Sequence, residues 1–139
     1  MPQKIREIMT RQPITLEDTA TLMEAARTMR DANIGDVIVV RDGVICGVVT
    51  DRDIVIRAIA EGRDPKTAKL RDISTTEVAT VAPDESVDNV INLMREKAVR
   101  RVPVVEAGRP VGVISIGDLA LDKDKDSALA EISSAEPNK

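Results

Sequence analysis

The chain is written twice. An offset of about 65 residues, the kind of internal period sought before any local reading, lays residues 5–54 on 70–119 without a gap. Thr15 falls on Thr80, Met29-Arg30 on Met94-Arg95, and Val37, Val39 and Val40 on Val102, Val104 and Val105. Gly43 and Gly47 fall on Gly108 and Gly112, and Asp53 on Asp118. A chain of 139 residues built this way must form two like halves, and neither half is long enough to bury a sheet face alone.

Each copy has the same local grammar. A short extended piece (residues 13–16 and 78–81) precedes an amphipathic helix with apolar positions at helical spacing: Leu22, Ala25, Ala26 and Met29, then Val87, Val90, Ile91 and Met94. Thr21 and Glu24 have the spacing of a capping box at the first helix start. Two apolar runs follow (37–40 with 44–49, and 102–105 with 111–114), split by Asp42-Gly43 and Ala107-Gly108. That pattern predicts a hairpin in each copy. A second helix is expected from Asp51 and from Gly117. In the first copy its apolar face is Ile54, Val55, Ala58 and Ile59, and Gly62 and Pro65 end it. The expected fold class is α+β: two β-α-β-β-α repeats packed sheet to sheet as one pseudo-twofold module. The repeats span 1–65 and 66–122, and 123–139 form a charged, disordered tail. Asp122, Asp124 and Asp126 imitate the start of a calcium loop, but Ser127 and Ser133 stand where such a loop needs glycine and glutamate.

Composition removes several function classes. The chain contains no Phe, Tyr, Trp or His. It therefore lacks the usual neutral-pH general base, the commonest metal ligand and a stacking platform for single-stranded nucleic acid. A net charge of −4 opposes nucleic acid and anionic membrane alike. Cys46 is the single cysteine, so no internal disulfide forms, and its strand position suits a small buried hydrophobe. The methionines read as core filler. The first ten residues lack the apolar stretch of a signal peptide, and no run reaches the roughly 20 apolar residues of a membrane span. The expectation is a cytoplasmic protein that is not an enzyme: no nucleophile is paired with a base, and no phosphate-binding G-x-x-x-x-G-K-[ST] loop occurs.

The chemically suggestive pattern lies at the second strand-to-helix junction of each copy. It reads Gly47-Val-Val-Thr50-Asp-Arg-Asp53 and Gly112-Val-Ile-Ser115-Ile-Gly-Asp118. A hydroxyl residue followed three positions later by an acid is a helix cap. The same groups also suit a nucleotide, because a helix start with a hydroxyl attracts phosphate and a nearby carboxylate accepts the hydroxyls of a ribose.

The duplicated β-α-β-β-α unit, the G-h-h-[ST]-x-x-D ending and the run from Arg100-Arg101 through Pro103 to Val105 together resemble the tandem CBS domains of a Bateman module. The resemblance covers about residues 5–121. It implies adenosine derivatives (AMP, ADP, ATP or S-adenosylmethionine) bound in clefts between the repeats, with no required cofactor. By position, one cleft would use Ser115 and Asp118 with Arg101 near phosphate, and Ile14, Ile34 and Gly35 around the base. The other would use Thr50 and Asp53, with Ala79 and Val99. Gly35-Asp36 stands where the second copy has Arg100-Arg101, so the Asp118 cleft is expected to be the better phosphate site. The partners implied are the small molecule, a second copy in a homodimer and a separate protein target. The alternative is an interaction module of the same fold with no small ligand.

Overall fold

A computed structural model describes residues 3–123. Strands and helices alternate as the duplication requires: β1 (Thr10–Arg11), β2 (Thr15–Glu17), α1 (Leu22–Ala32), β3 (Asp36–Arg41), β4 (Val44–Thr50), α2 (Asp51–Asp53), α3 (Leu70–Ile73), α4 (Val87–Lys97), β5 (Arg101–Glu106), β6 (Arg109–Ser115) and α5 (Ile116–Lys123). A 3-10 turn at Ile5–Glu7 precedes β1, and a π-helical stretch, Ile54–Ile59, continues α2. Two three-stranded sheets result, ordered β2-β3-β4 and β1-β6-β5.

The hairpins form where the turn residues demand them. Asp42 and Gly43 both take positive φ (54° and 82°), as do Ala107 and Gly108 (52° and 79°), the conformation that matches the twist of paired strands. Both hairpins carry a bulge at the same place, between Val39 and Val40 and between Val104 and Val105. Both eleven-residue helices end in a left-handed residue, Asn33 and Ala98. The extended piece of the first copy is β2, parallel to β3. That of the second copy shrinks to one bridge, Val81 with Val104.

Two compact units divide the described residues: Ile14–Val78 is one, and 3–13 with 79–123 is the other. The packing is thus offset from the duplication. Each copy's leading segment lies on the sheet of the other copy: Thr10 pairs with Val113, and at the matching position Thr75 bridges Val48. The anchors are aliphatic and fully buried. Leu70 enters the cluster of Leu22, Ala25, Met29, Val37, Val39 and Val49. Ile5 enters that of Val87, Val90, Met94, Val102, Val104 and Ile114. Burying each such side chain stabilises its unit by about 1.5–3 kcal/mol, so both segments are held by their cores.

The repeated glycine makes this docking possible. A Cβ on Gly112 would lie 2.8 Å from the Thr10 carbonyl oxygen and 2.6 Å from the Met9 sulfur. One on Gly47 would lie 2.9 Å from the Thr75 carbonyl oxygen. Only a residue without a side chain admits a backbone that close.

Three expectations need correction. The helix after β4 begins at Asp51 as expected but widens: the Ala60 N–H reaches back five residues to the Val55 carbonyl, 2.9 Å. The wider turn keeps Ile54 and Ala58 in the core and leaves Val55, Ile56 and Ile59 about half exposed, so the four-residue apolar face reduces to two. On α1, Ala26 is exposed, one position off the buried stripe of Leu22, Ala25 and Met29. The last helix starts at Ile116 rather than Gly117, because the Ser115 side chain already accepts the Asp118 N–H. The expected tail lies outside the described residues from 124 onward. No helix among the described residues is long and apolar enough to cross a membrane.

Candidate functional site

Both motifs close into capping boxes. Thr50 Oγ1 accepts the Asp53 N–H at 3.0 Å, while Asp53 Oδ2 accepts the Thr50 N–H at 2.9 Å. Ser115 and Asp118 repeat the pattern at 3.1 and 3.0 Å. A box of this kind satisfies two donors that a helix start leaves open. It does not exhaust the pair. The hydroxyl is used only as an acceptor, so its proton can still be donated, and each carboxylate has a second oxygen outside the box.

The sheets bring strand residues to each box. In the unit of 3–13 and 79–123, Arg101 sits directly across from Ser115, and the Ile116 N–H donates to the Arg100 carbonyl at 2.8 Å. Arg101, Ser115 and Asp118, all half-buried, therefore converge at one end of the sheet. In the unit of Ile14–Val78, Asp36 faces Thr50, and the Asp51 N–H donates to the Gly35 carbonyl at 2.9 Å. An arginine is thus registered opposite the hydroxyl residue of one box and an aspartate opposite that of the other.

The residues expected around a base divide between the units. Ile14, Ile34 and Gly35 belong to Ile14–Val78, and Ala79 and Val99 to the other unit. Ile14 is 39% exposed, unusual for an isoleucine beside a paired strand. Ile34 and Gly35 are half-buried, as are Ala79 and Val99. Val99 also lines an apolar groove of about 370 Å³ with Ile91, Met94, Ile116 and Leu119.

Several contacts escaped sequence reasoning. Arg57 Nε stands 3.7 Å from Asp53 Oδ1, and its Nη1 donates to the Ile73 carbonyl at 3.3 Å. Asp18, 4% exposed, accepts both Nε and Nη2 of Arg41 on Oδ2, at 2.9 and 2.7 Å. That carboxylate holds the Arg41 guanidinium above its ordinary pKa. Cys46 is half-buried on β4; burial first, and Asp18 second, push its thiol up. The i,i+4 spacing of Asp53 and Arg57 was a signal open to sequence reading. Asp18 and Arg41 gave none, since only the fold joins them.

Comparison with known proteins returns one family. The family model described as CBS domain matches twice, over residues 5–59 and 70–121. The CBS domain-containing protein YhcV of Bacillus subtilis is 36% identical over 133 residues, which cover 93% of this chain and 94% of the relative. Among solved structures, Hypoxic Response Protein I with two coordinated zinc ions superposes at a TM-score of 0.79, with 35% identity over 86% of this chain and 98% of that one. The CBS domain pair of protein MJ0100, in complex with 5′-methylthioadenosine and S-adenosyl-L-methionine, superposes at 0.78, with 28% identity over 91% of this chain and 100% of that one. This chain has no histidine, and among the described residues no three Cys, Asp or Glu side chains are grouped as a metal site would need.

Proposed function

The chain belongs to the CBS-domain family, and from that premise we propose that it is a regulatory module that senses an adenosine derivative. The observation that carries this reading is the duplicated hydroxyl–aspartate pair, which keeps a proton donor and a carboxylate oxygen outside its own cap. The adenosine ligands of the MJ0100 pair support it.

The ligand is AMP, ADP, ATP or S-adenosylmethionine. Asp118 accepts the ribose hydroxyls, Ser115 and Arg101 face phosphate, and Ile14, Ile34 and Gly35 enclose the base. Thr50, Asp53, Ala79 and Val99 form the second cleft. The Asp118 cleft is the stronger one, because Arg101 supplies a charge-assisted bond where Asp36 would repel phosphate. The protein acts in the cytoplasm as a homodimer, regulates a separate protein and catalyses nothing.

Calorimetric melting against each of the four compounds tests this. A ligand at a hundred times its dissociation constant stabilises the folded chain by about 2.7 kcal/mol. Asp118→Ala should remove most of the shift and Asp53→Ala should largely keep it. The reverse pattern would overturn the assignment of the stronger cleft.

A second reading is an interaction module with no small ligand. The closed capping boxes favour it, since each aspartate already has a structural task. Unchanged melting with every adenosine compound would decide for it.

A further inference from the structure

The two motifs differ on their helix side as well as their strand side, and the charges are exchanged. The first copy has Asp36 on the strand and Arg57 one helical turn past Asp53; the second has Arg101 and Asp122 at the matching positions. Arg57 is in contact with the motif. Its Nε lies 3.7 Å from Asp53 Oδ1, the carboxylate oxygen that the capping box leaves over, since the box engages Oδ2. A further bond from Arg57 Nη1 to the Ile73 carbonyl, 3.3 Å, fixes the guanidinium from the other side. The aspartate is only 17% exposed while the arginine is 52% exposed. The second copy has no arginine at the matching position to repeat this contact; its residue there is Asp122.

We infer that Arg57 is an internal latch on the first motif: it occupies the Asp53 oxygen that a ribose would need, and a ligand must displace it. This rests on the adenosine reading above and goes beyond it, naming the residue that sets the first site's affinity. An exposed i,i+4 pair contributes little by itself, and the range measured for such pairs corresponds to a penalty of about twofold in affinity. Arg57 thus tunes the first site below the second without abolishing it.

The probe is 5′-methylthioadenosine, which carries the ribose hydroxyls and no phosphate, so Asp36 and Arg101 contribute little to its binding. Equilibrium dialysis is run on the full chain in an Asp118→Asn background, which silences the second motif. Arg57→Met should raise affinity about twofold. Arg57→Gln should do the same, because it removes the charge while keeping a polar side chain. Adding Asp53→Asn should cancel both gains, and salt should narrow the gap between Arg57 and its variants. Affinity unchanged or lowered in both variants, with binding intact in the parent chain, overturns the latch and leaves the adenosine reading standing. A gain with methionine but not glutamine also overturns it, because charge would not be the cause. Absence of 5′-methylthioadenosine binding in every chain, the parent included, removes the latch; the adenosine reading falls with it only when AMP, ADP, ATP and S-adenosylmethionine are not retained either.

Discussion

Replacing Gly112 by alanine tests why the motif begins with glycine. The new Cβ would sit 2.8 Å from the Thr10 carbonyl oxygen and 2.6 Å from the Met9 sulfur. Methionine can swing aside, but the carbonyl belongs to β1, which is paired to β6 at this residue (Arg11 opposite Gly112). The pairing must therefore open by a few tenths of an ångström. Overpacking of this kind costs about 1–3 kcal/mol. Restricting the unfolded chain returns about 0.4–1 kcal/mol, which leaves a net loss near 1–2 kcal/mol. Each kcal/mol moves Tm by about 3–6 °C in a chain of this size, so calorimetry should show a drop of roughly 3–12 °C. Gly47→Ala, facing the Thr75 carbonyl oxygen at 2.9 Å, should behave alike. A Tm within a degree of the parent would refute the reasoning. Lost nucleotide binding at unchanged Tm would assign the glycine to the ligand instead.

Ile5→Ala and Leu70→Ala each remove a fully buried anchor and should cost about 2–5 kcal/mol by urea unfolding, although both residues lie outside the β-α-β-β-α pattern. Asp118→Ala should lower Tm, because it removes the acceptor of the Ser115 N–H, whereas Asp118→Asn, which retains an acceptor, should melt close to the parent. Cys46 should alkylate more slowly than a free thiol at mildly alkaline pH, since burial raises its pKa. For a thiol whose folded pKa exceeds its unfolded one, the folded chain keeps the proton longer, so stability falls as pH rises through the ordinary thiol range. Cys46→Ala should flatten that slope. Asp18→Ala should lower Tm, because it strips the Arg41 guanidinium of both its bonds to Oδ2.

Much of the fold was readable because it obeys local rules repeated at one period. The Asp42-Gly43 and Ala107-Gly108 turns and the two hydroxyl–aspartate boxes each need only neighbouring residues, and each appears where its pattern predicts. The offset of the packing units was not readable. Nothing in the local pattern of Ile5 or Leu70 says which sheet it will cover, although Gly47 and Gly112 at matching positions mark where a second backbone arrives. Helical spacing also assigned Val55 and Ile59 to the core. It assumed a regular α-helix, and the π-helical widening turned them outward. At the site, Arg101 opposite Ser115 follows from hairpin register. The Asp53–Arg57 pair was within reach of the i,i+4 rule, yet its meaning depends on which carboxylate oxygen the cap leaves over.

The central claim is that Asp118 holds an adenosine ligand through an oxygen its cap does not use. Dialysis against AMP measures this directly, since a chain without Trp or Tyr is nearly transparent where adenine absorbs. The parent chain should retain AMP saturably, and Asp118→Asn should lose it while melting like the parent. Equal retention by both would contradict the claim, as would a parent chain that retains neither AMP nor ADP, ATP or S-adenosylmethionine.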